Sequence, residues 1–186
     1  IFGPVVSVFE EAAPAWLVAS RLFDRARRAS GSRMHWSQCA SGNVLFRKSL
    51  FAQVGGFDPV FAKSGSEDSD FFWRCLEAGA QFYWCDEAVA YEGVPAARMT
   101  ESFVRRRAFR AGQNFTRLNG RRQGAGSYLV FALRGVASAS CFGLAALLTR
   151  PFSKGLGIRM QCKCLGGLGK VLAALSLVKA DYGTAQ

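Results

Sequence analysis

A chain of 186 residues that is 50% hydrophobic and 13% aromatic has the material for a buried core, which excludes a disordered polypeptide. Its net charge of +11 is unevenly spread: residues 1–97 carry nine Lys/Arg against eleven Asp/Glu, and residues 98–186 carry fifteen against two. An acidic part is thus joined to a part suited to an anionic partner, whether a phospholipid face, a nucleic acid or a pyrophosphate-bearing ligand.

Six cysteines without a C-x-x-C pair, and a single histidine, His35, argue against zinc, which takes about four clustered ligands. Buried free thiols in a reducing cytosol are the expectation instead. The chain opens on Ile1-Phe2-Gly3-Pro4-Val5-Val6 with no initiator Met and no basic flank. That opening reads as a strand in progress rather than a signal peptide, with further residues expected upstream.

In chain order, Phe2–Phe9 reads as a strand interrupted at Pro4. Pro14 opens a helix over Ala15–Arg28, with Trp16, Ala19, Leu22, Phe23 and Ala26 on one face and Arg21, Asp24, Arg25 and Arg28 mostly on the other. Ser30-Gly31-Ser32 ends it. Met34–Ala40 reads as extended, Val44-Leu45-Phe46 as a short strand, and Lys48–Val54 as a helix stopped by Gly55-Gly56. A loop over Phe57–Gly65 leads to a helix from Ser66 to Ala78, closed at Gly79. Gln81–Cys85 and Ala88–Tyr91 read as short strands, and a long helix runs from Met99 to Leu118, ended by Asn119-Gly120. Alternating strands and helices predict an α/β sheet with packed helices. From Gly124 the composition turns to Ala, Leu, Gly and scattered bases, so the domain boundary is drawn there: residues 1–123, then a helical tail over 124–186.

The densest chemistry lies in Glu67-Asp68-Ser69-Asp70. Three carboxylates crowd the first turn of a helix, where the dipole favours them and where Ser64 or Ser66 can cap. Taken alone, the cluster stabilises a helix start and nothing more. Its setting carries further meaning. Ser41-Gly42-Asn43-Val44-Leu45-Phe46-Arg47-Lys48, then Gly55-Gly56-Phe57-Asp58, then Glu67-Asp68 before an aromatic-rich helix, resemble in order and spacing the inverting family 2 glycosyltransferases of GT-A fold. The resemblance covers residues 1 to about 118 and is closest to enzymes of bacterial exopolysaccharide synthesis.

That resemblance implies a partial GT-A (Rossmann-like) sheet and identifies this chain as the C-terminal, acceptor-side half. It makes Asp68 the catalytic base, which takes the acceptor hydroxyl's proton as the oxygen attacks the anomeric carbon, with Glu67 beside it toward the acceptor. Asn43 is implied near the donor sugar, and Trp36 lines an acceptor groove unless it is core. On the long helix Arg106, Arg110 and Gln113 share a face. Relatives place arginine there near the leaving diphosphate, whose oxygens suit the guanidinium fork, so Arg110 and Gln113 are assigned to the donor side. A solvated or lipid-facing basic face accounts for the same run. Where many relatives carry His, this chain has Glu92, which either holds a divalent cation through oxygen or pairs with Arg98 or Arg107.

The implied cofactor is Mg or Mn, held mostly by an upstream half that bears the family's Asp-x-Asp. Asp68-Ser69-Asp70 has that pattern on a different element. The chain by itself is therefore expected not to turn over a nucleotide-sugar donor. His35 reads as a satisfied polar residue and Asp70 as structural.

Ser127–Thr149 is apolar apart from Arg134, and Leu168, Val171, Leu172, Leu175 and Val178 form a helical stripe flanked by Lys163, Lys170 and Lys179. About 20 apolar residues are needed to span a bilayer, and Arg134 interrupts them, so an interfacial basic helix is favoured over a span. The expected setting is the cytoplasmic face of the inner membrane, with a lipid-linked or polysaccharide acceptor. A non-catalytic membrane-surface module is the rival reading. Nucleic-acid binding ranks below both, since no base-reading motif accompanies the arginines.

Overall fold

A computed structural model describes residues 1–61, 65–124 and 126–183, with side chains through Ser176. The fold is mixed α/β. Strand β1 (Val5–Phe9) pairs with β2 (Ala90–Val94) in a two-stranded parallel sheet. The helices are α1 (Ala15–Ser20), α2 (Lys48–Val54), α3 (Glu67–Glu77), α4 (Glu101–Gln123), α5 (Gly126–Thr149) and α6 (Lys154–Gly183). The chain divides into two compact units, Ile1–Val8 with Phe23–Gly93, and Phe9–Leu22 with Val94–Gln186. The composition change at Gly124 falls at the turn between α4 and α5, both of which belong to the second unit.

The first unit is built around phenylalanines. Phe71 and Phe72 on α3 are fully buried and meet Phe2, Phe46, Phe51 and Phe57. The Phe2–Phe72 and Phe51–Phe71 centroids are each 4.9 Å apart, and such pairs add about 0.5–1.5 kcal/mol each beyond burial. Helix α2 starts and stops as its sequence predicts, because Gly55 adopts φ 77° where a Cβ would be strained. Gly79, at φ 85°, closes α3 in the same way.

Four local expectations are corrected. The helix opened by Pro14 ends at Ser20, not Arg28. Arg21 turns left-handed at φ 54°, and the Ser20 hydroxyl bonds Leu17 O at 2.7 Å. Beyond it the chain is drawn out by ion pairs from Arg25 to Glu92 and from Arg27 to Asp86. Met34–Ala40 is not extended: Trp36–Gln38 forms a 3-10 turn, capped by the His35 ring, which accepts from Ser37 N. Gln81–Cys85 contributes only isolated bridges, Trp84 to Phe2 and Tyr83 to Arg33, while the strand itself runs later, at Ala90–Val94. Helix α4 passes through Asn119-Gly120 and stops at Gly124, φ 79°. Gly120 is there for room, since a Cβ would lie 1.9 Å from the Tyr128 ring.

In the second unit α6 is the central helix, packed against α1, α4 and α5. Its inner face is small: Ala173 and Ala174 are buried with Ile158 and Cys162. Gly166 and Gly167 face Gly112 of α4 and Gly135 of α5 backbone to backbone. Lys154 Nζ lies 2.9 Å from Glu101 Oε1, tying α6 to α4, and this contact holds the Glu101 carboxyl below its usual range. Stability from that pair is present above the ordinary glutamate pKa of about 4.3. It is lost as pH falls through the lowered folded value.

The thiols behave as small hydrophobes. Cys39, Cys75 and Cys162 are buried and all six are free. Burial pushes the Cys39 thiol up to about 12, so iodoacetamide at pH 8 should label exposed Cys141 while leaving Cys39 unmodified until denaturant is added. Labelling of Cys39 in the native protein, read by peptide mass, would contradict that burial.

Candidate active site

Helix α3 begins without a side-chain cap. Gly65 and Ser66 both take φ 80°, and the Ser66 carbonyl accepts from Asp70 N at 3.0 Å. The expected Ser66 cap is absent, and Ser64 lies outside the described residues. The Asp68 carboxylate works at this end instead: Oδ1 accepts from Ser69 N at 2.7 Å and Oδ2 from Ser41 N at 3.4 Å. Asp68 is half-buried, and no cation pairs with it or with its half-buried neighbour Glu67 among the described residues. The Trp36–Gln38 turn packs against α3, and Trp36 itself is half-buried against the phenylalanine core. Ser41, three residues past this turn, is the link from this segment to Asp68.

Asp70 faces away from this cluster into a clamp. Its Oδ2 receives Arg74 Nε at 2.9 Å, while Arg74 Nη1 and Nη2 donate to Val54 O at 2.5 Å and Gly56 O at 2.8 Å. Asp58 Oδ1 accepts from Val60 N at 2.9 Å. The Gly55-Gly56-Phe57-Asp58 stretch is thus a turn that presents carbonyls to Arg74. Arg74→Ala should cost about 2 kcal/mol, since it removes charge-assisted bonds to part-buried carbonyls. Urea unfolding with an unchanged m-value should read that loss.

The other predicted site residues are dispersed. Asn43 Nδ2 donates to Ala88 O at 2.6 Å and Pro4 O at 3.0 Å, so its NH₂ group brackets the backbone and leaves Oδ1 for a ligand. Glu92 Oε2 meets Arg25 Nη2 at 2.5 Å. Among the described residues no group of three His, Cys, Asp or Glu side chains could hold a metal. Arg110 and Gln113 lie on α4 in the second unit. They line an open concavity of about 500 Å³ with Arg105, Arg106, Phe109 and Leu165, so the shared face of Arg106, Arg110 and Gln113 is real.

Among the described residues, two sizeable cavities border the first unit's core. One, of about 750 Å³, is bordered by Ile1, Leu45, Arg47, Gln53 and Phe82. The other, of about 330 Å³, is bordered by Arg28, Gln38, Ala40, Gly42, Asn43 and Trp84. Ser41, between two lining residues of the smaller one, is the donor to Asp68. Sequence reasoning gave Ser41 no role beyond its motif and placed Arg28 on the helix face opposite the apolar residues. The signal available was the Ser41-Gly42-Asn43 motif itself, whose first residue contributes through its backbone.

Residues 21–95 match a family model described as the N-terminal domain of galactosyltransferase. The succinoglycan biosynthesis protein ExoM of Rhizobium meliloti (strain 1021) is 30% identical over 150 residues, covering 79% of this chain and 48% of that protein. The chondroitin synthase of Escherichia coli is 33% identical over 63 residues, 34% of this chain and 9% of that protein. The chain is a relative of the glycosyltransferases. It spans about half the length of the first of these relatives. No solved structure matches it. The matched segment, 21–95, contains Trp36, Asn43, Glu67, Asp68 and Glu92 and excludes Arg110 and Gln113. The glycosyltransferase likeness thus covers Asp68 and Ser41, whose N–H holds it.

Proposed function

We propose that this chain supplies the acceptor side of an inverting, family 2 glycosyltransferase of GT-A fold, acting on a nucleotide-sugar donor in polysaccharide synthesis. In this reading Asp68 is the general base, Glu67 and Trp36 meet the acceptor, and Asn43, Arg110 and Gln113 serve the donor and its diphosphate. The observation that carries it is the Asp68 carboxylate. It is half-buried, held by two backbone N–H groups and free of any cation partner among the described residues. A base needs that combination of fixed position and unmatched acceptor capacity. Arg74, by contrast, engages Asp70 and leaves Asp68 available.

The divalent cation, Mg or Mn, belongs in this proposal mainly to chain outside these 186 residues. Glu92, already paired with Arg25, is at most an accessory ligand. Donor turnover by this chain alone is accordingly expected to be absent. The test is sugar transfer by the whole protein carrying Asp68→Asn, with Asp70→Asn as the contrast. Full activity in the first variant would overturn the assignment.

An anionic membrane surface is the second element of the proposal. Among the described residues one helix, Gly126–Thr149, is long and apolar enough to cross a membrane by length and composition, and most of it is exposed. Leu129, Leu133, Val136, Leu144, Leu147 and Leu148 lie open along α5, and Leu168, Leu172 and Leu175 along α6. Val171, placed in the same stripe by sequence, packs on Gly135 instead, and the side chains of Val178 and Lys179 lie outside the described residues. Arg134 among the α5 leucines, with Arg150 and Lys154 beyond its end, fits a helix resting at headgroup level. In this reading the acceptor is lipid-linked or a polysaccharide, and the protein works at the cytoplasmic face of the inner membrane.

Vesicles rich in phosphatidylglycerol should bind the protein and release it as salt rises, whereas phosphatidylcholine vesicles should bind it weakly. Leu133→Asp with Leu147→Asp should cut binding by roughly tenfold or more. Membrane binding with transfer unaffected by Asp68→Asn would favour the non-catalytic module.

A further inference from the structure

Three arginines lie close together in the stretch after α1, and their surroundings differ. Arg25 is answered by Glu92 at 2.5 Å. Arg27 holds Asp86 with Nε at 2.8 Å and Nη2 at 2.9 Å, and this contact keeps the Asp86 carboxyl below its usual range. Arg28 is more buried than either, yet no carboxylate faces it among the described residues. It borders the cavity of about 330 Å³, whose lining contains Arg25 as well and no acidic side chain.

A guanidinium cannot shed its proton to escape burial, and a part-buried charge without a partner is costly. The neighbouring chain has carboxylates to offer, at Asp86 and Glu92, and both go to the more exposed arginines. The cavity beside Arg28 has the make-up of a sugar site. Gln38 contributes an amide to the lining, and Met34, Phe2 and Trp84 contribute apolar surface. Its rim at Ala40 and Gly42 flanks Ser41, whose N–H holds Asp68.

We infer that this cavity takes a sugar bearing an oxyanion, a uronate carboxylate or a sugar phosphate, with the Arg28 fork on the anionic group and the ring between Gln38 and the Trp84 wall. The inference rests on the glycosyl-transfer reading for its substrate class and gives that class a sign: the acceptor is an acidic saccharide. Arg28 is a specificity-determining residue, and its absence should change which acceptor is bound more than how fast a proton moves at Asp68.

The test is direct binding, read by tryptophan fluorescence and by saturation-transfer NMR on the chain, with glucuronate, glucose 1-phosphate, glucose and inorganic phosphate as probes. An anionic sugar should bind more tightly than glucose and than inorganic phosphate. Preference for glucuronate assigns a uronate, and preference for glucose 1-phosphate assigns a sugar phosphate. Arg28→Ala should weaken the anionic sugar by about tenfold or more with glucose unchanged. Arg28→Lys, which keeps the charge without the fork, should fall between. Arg28→Ala should melt at or above the parent, because it removes an unanswered part-buried charge, and Arg28→Lys should melt near the parent.

Equal binding of glucose and the anionic sugars would overturn the inference. So would anionic-sugar binding that Arg28→Ala leaves intact, or inorganic phosphate binding as tightly as the sugars. Asp68→Asn should bind all probes as the parent does. Loss of transfer in that variant together with no preference for anionic sugars would sink this inference alone; transfer intact in Asp68→Asn would sink the assignment of the base alone.

Discussion

Asp68→Asn is expected to lower kcat for sugar transfer by about 10²–10⁴-fold, the range typical of a lost general base, with the chain still folded. Asparagine is nearly isosteric, and its Oδ1 can keep one of the two backbone N–H bonds now made to Ser69 and Ser41. Phe71 and Phe72, one turn on from Asp68 and fully buried, keep their packing because the exchange leaves the side-chain volume nearly unchanged. What disappears is the ability to accept a proton. Initial rates with a nucleotide-sugar donor and the whole protein, beside a thermal melt, separate chemistry from folding.

Glu67→Gln sharpens the comparison, because Glu67 stands next in sequence and is also free of an ion pair among the described residues. If Glu67→Gln falls as far as expected for Asp68→Asn while Asp68→Asn stays within a few-fold of the parent, the base belongs at 67. Asp70→Asn should act through stability, since it loosens Arg74 from Val54 and Gly56.

The second large effect is structural. Gly112→Ala should destabilise the second unit by about 3 kcal/mol, the upper end of what overpacking usually costs, and lower Tm by roughly 10 °C. A Cβ built on Gly112 lies 2.0 Å from Gly166 O and 2.8 Å from its carbonyl carbon. Both are backbone atoms of α6 and cannot rotate aside, so α4 and α6 would have to separate along their shared face. Gly169 sits as tightly against α4, with Phe109 O 2.2 Å from its would-be Cβ.

Gly143→Ala is the control. It lies in the same helical unit but meets only Cys164 Sγ, at 3.5 Å, an ordinary contact. In a helix interior that exchange should gain up to about 1 kcal/mol. If both substitutions were equally tolerated, the close crossing of α4 and α6 would be wrong.

Sequence reasoning went furthest where the signal was local. Helix α2 was legible end to end, because Gly55 after an apolar-periodic run is a stop written in backbone freedom. Helix α3 was legible for the same reason at Gly79, and its acidic first turn marked its start. Local rules failed where a distant partner decided. The stretch after Ser20 has helical periodicity, but Arg25 and Arg27 are held by Glu92 and Asp86 more than fifty residues away. Asn119-Gly120 has the composition of a helix end, and α4 runs through it because the missing Cβ admits the Tyr128 ring. The glycines of α6 read as a change of composition; nothing in their spacing says that Gly166 faces α4 and Gly167 faces α5.

The candidate site divides the same way. By itself the sequence determined that an acidic helix start follows the Ser-Gly-Asn and Gly-Gly-Phe-Asp segments, which carried the glycosyltransferase likeness, and that the positive charge gathers in the second half. Only the tertiary structure decided which of the three carboxylates is tied up: Arg74 reaches back to Asp70 and to the carbonyls of the preceding turn, while Ser41, brought from far up the chain, steadies Asp68 and Glu67 has no ion pair among the described residues. Likewise the sequence counts the arginines, but three-dimensional pairing decides that Arg25 and Arg27 meet carboxylates and that, among the described residues, Arg28 does not. Charge type is a property of each residue, whereas which charges meet depends on distance, and distance is set by the packed chain.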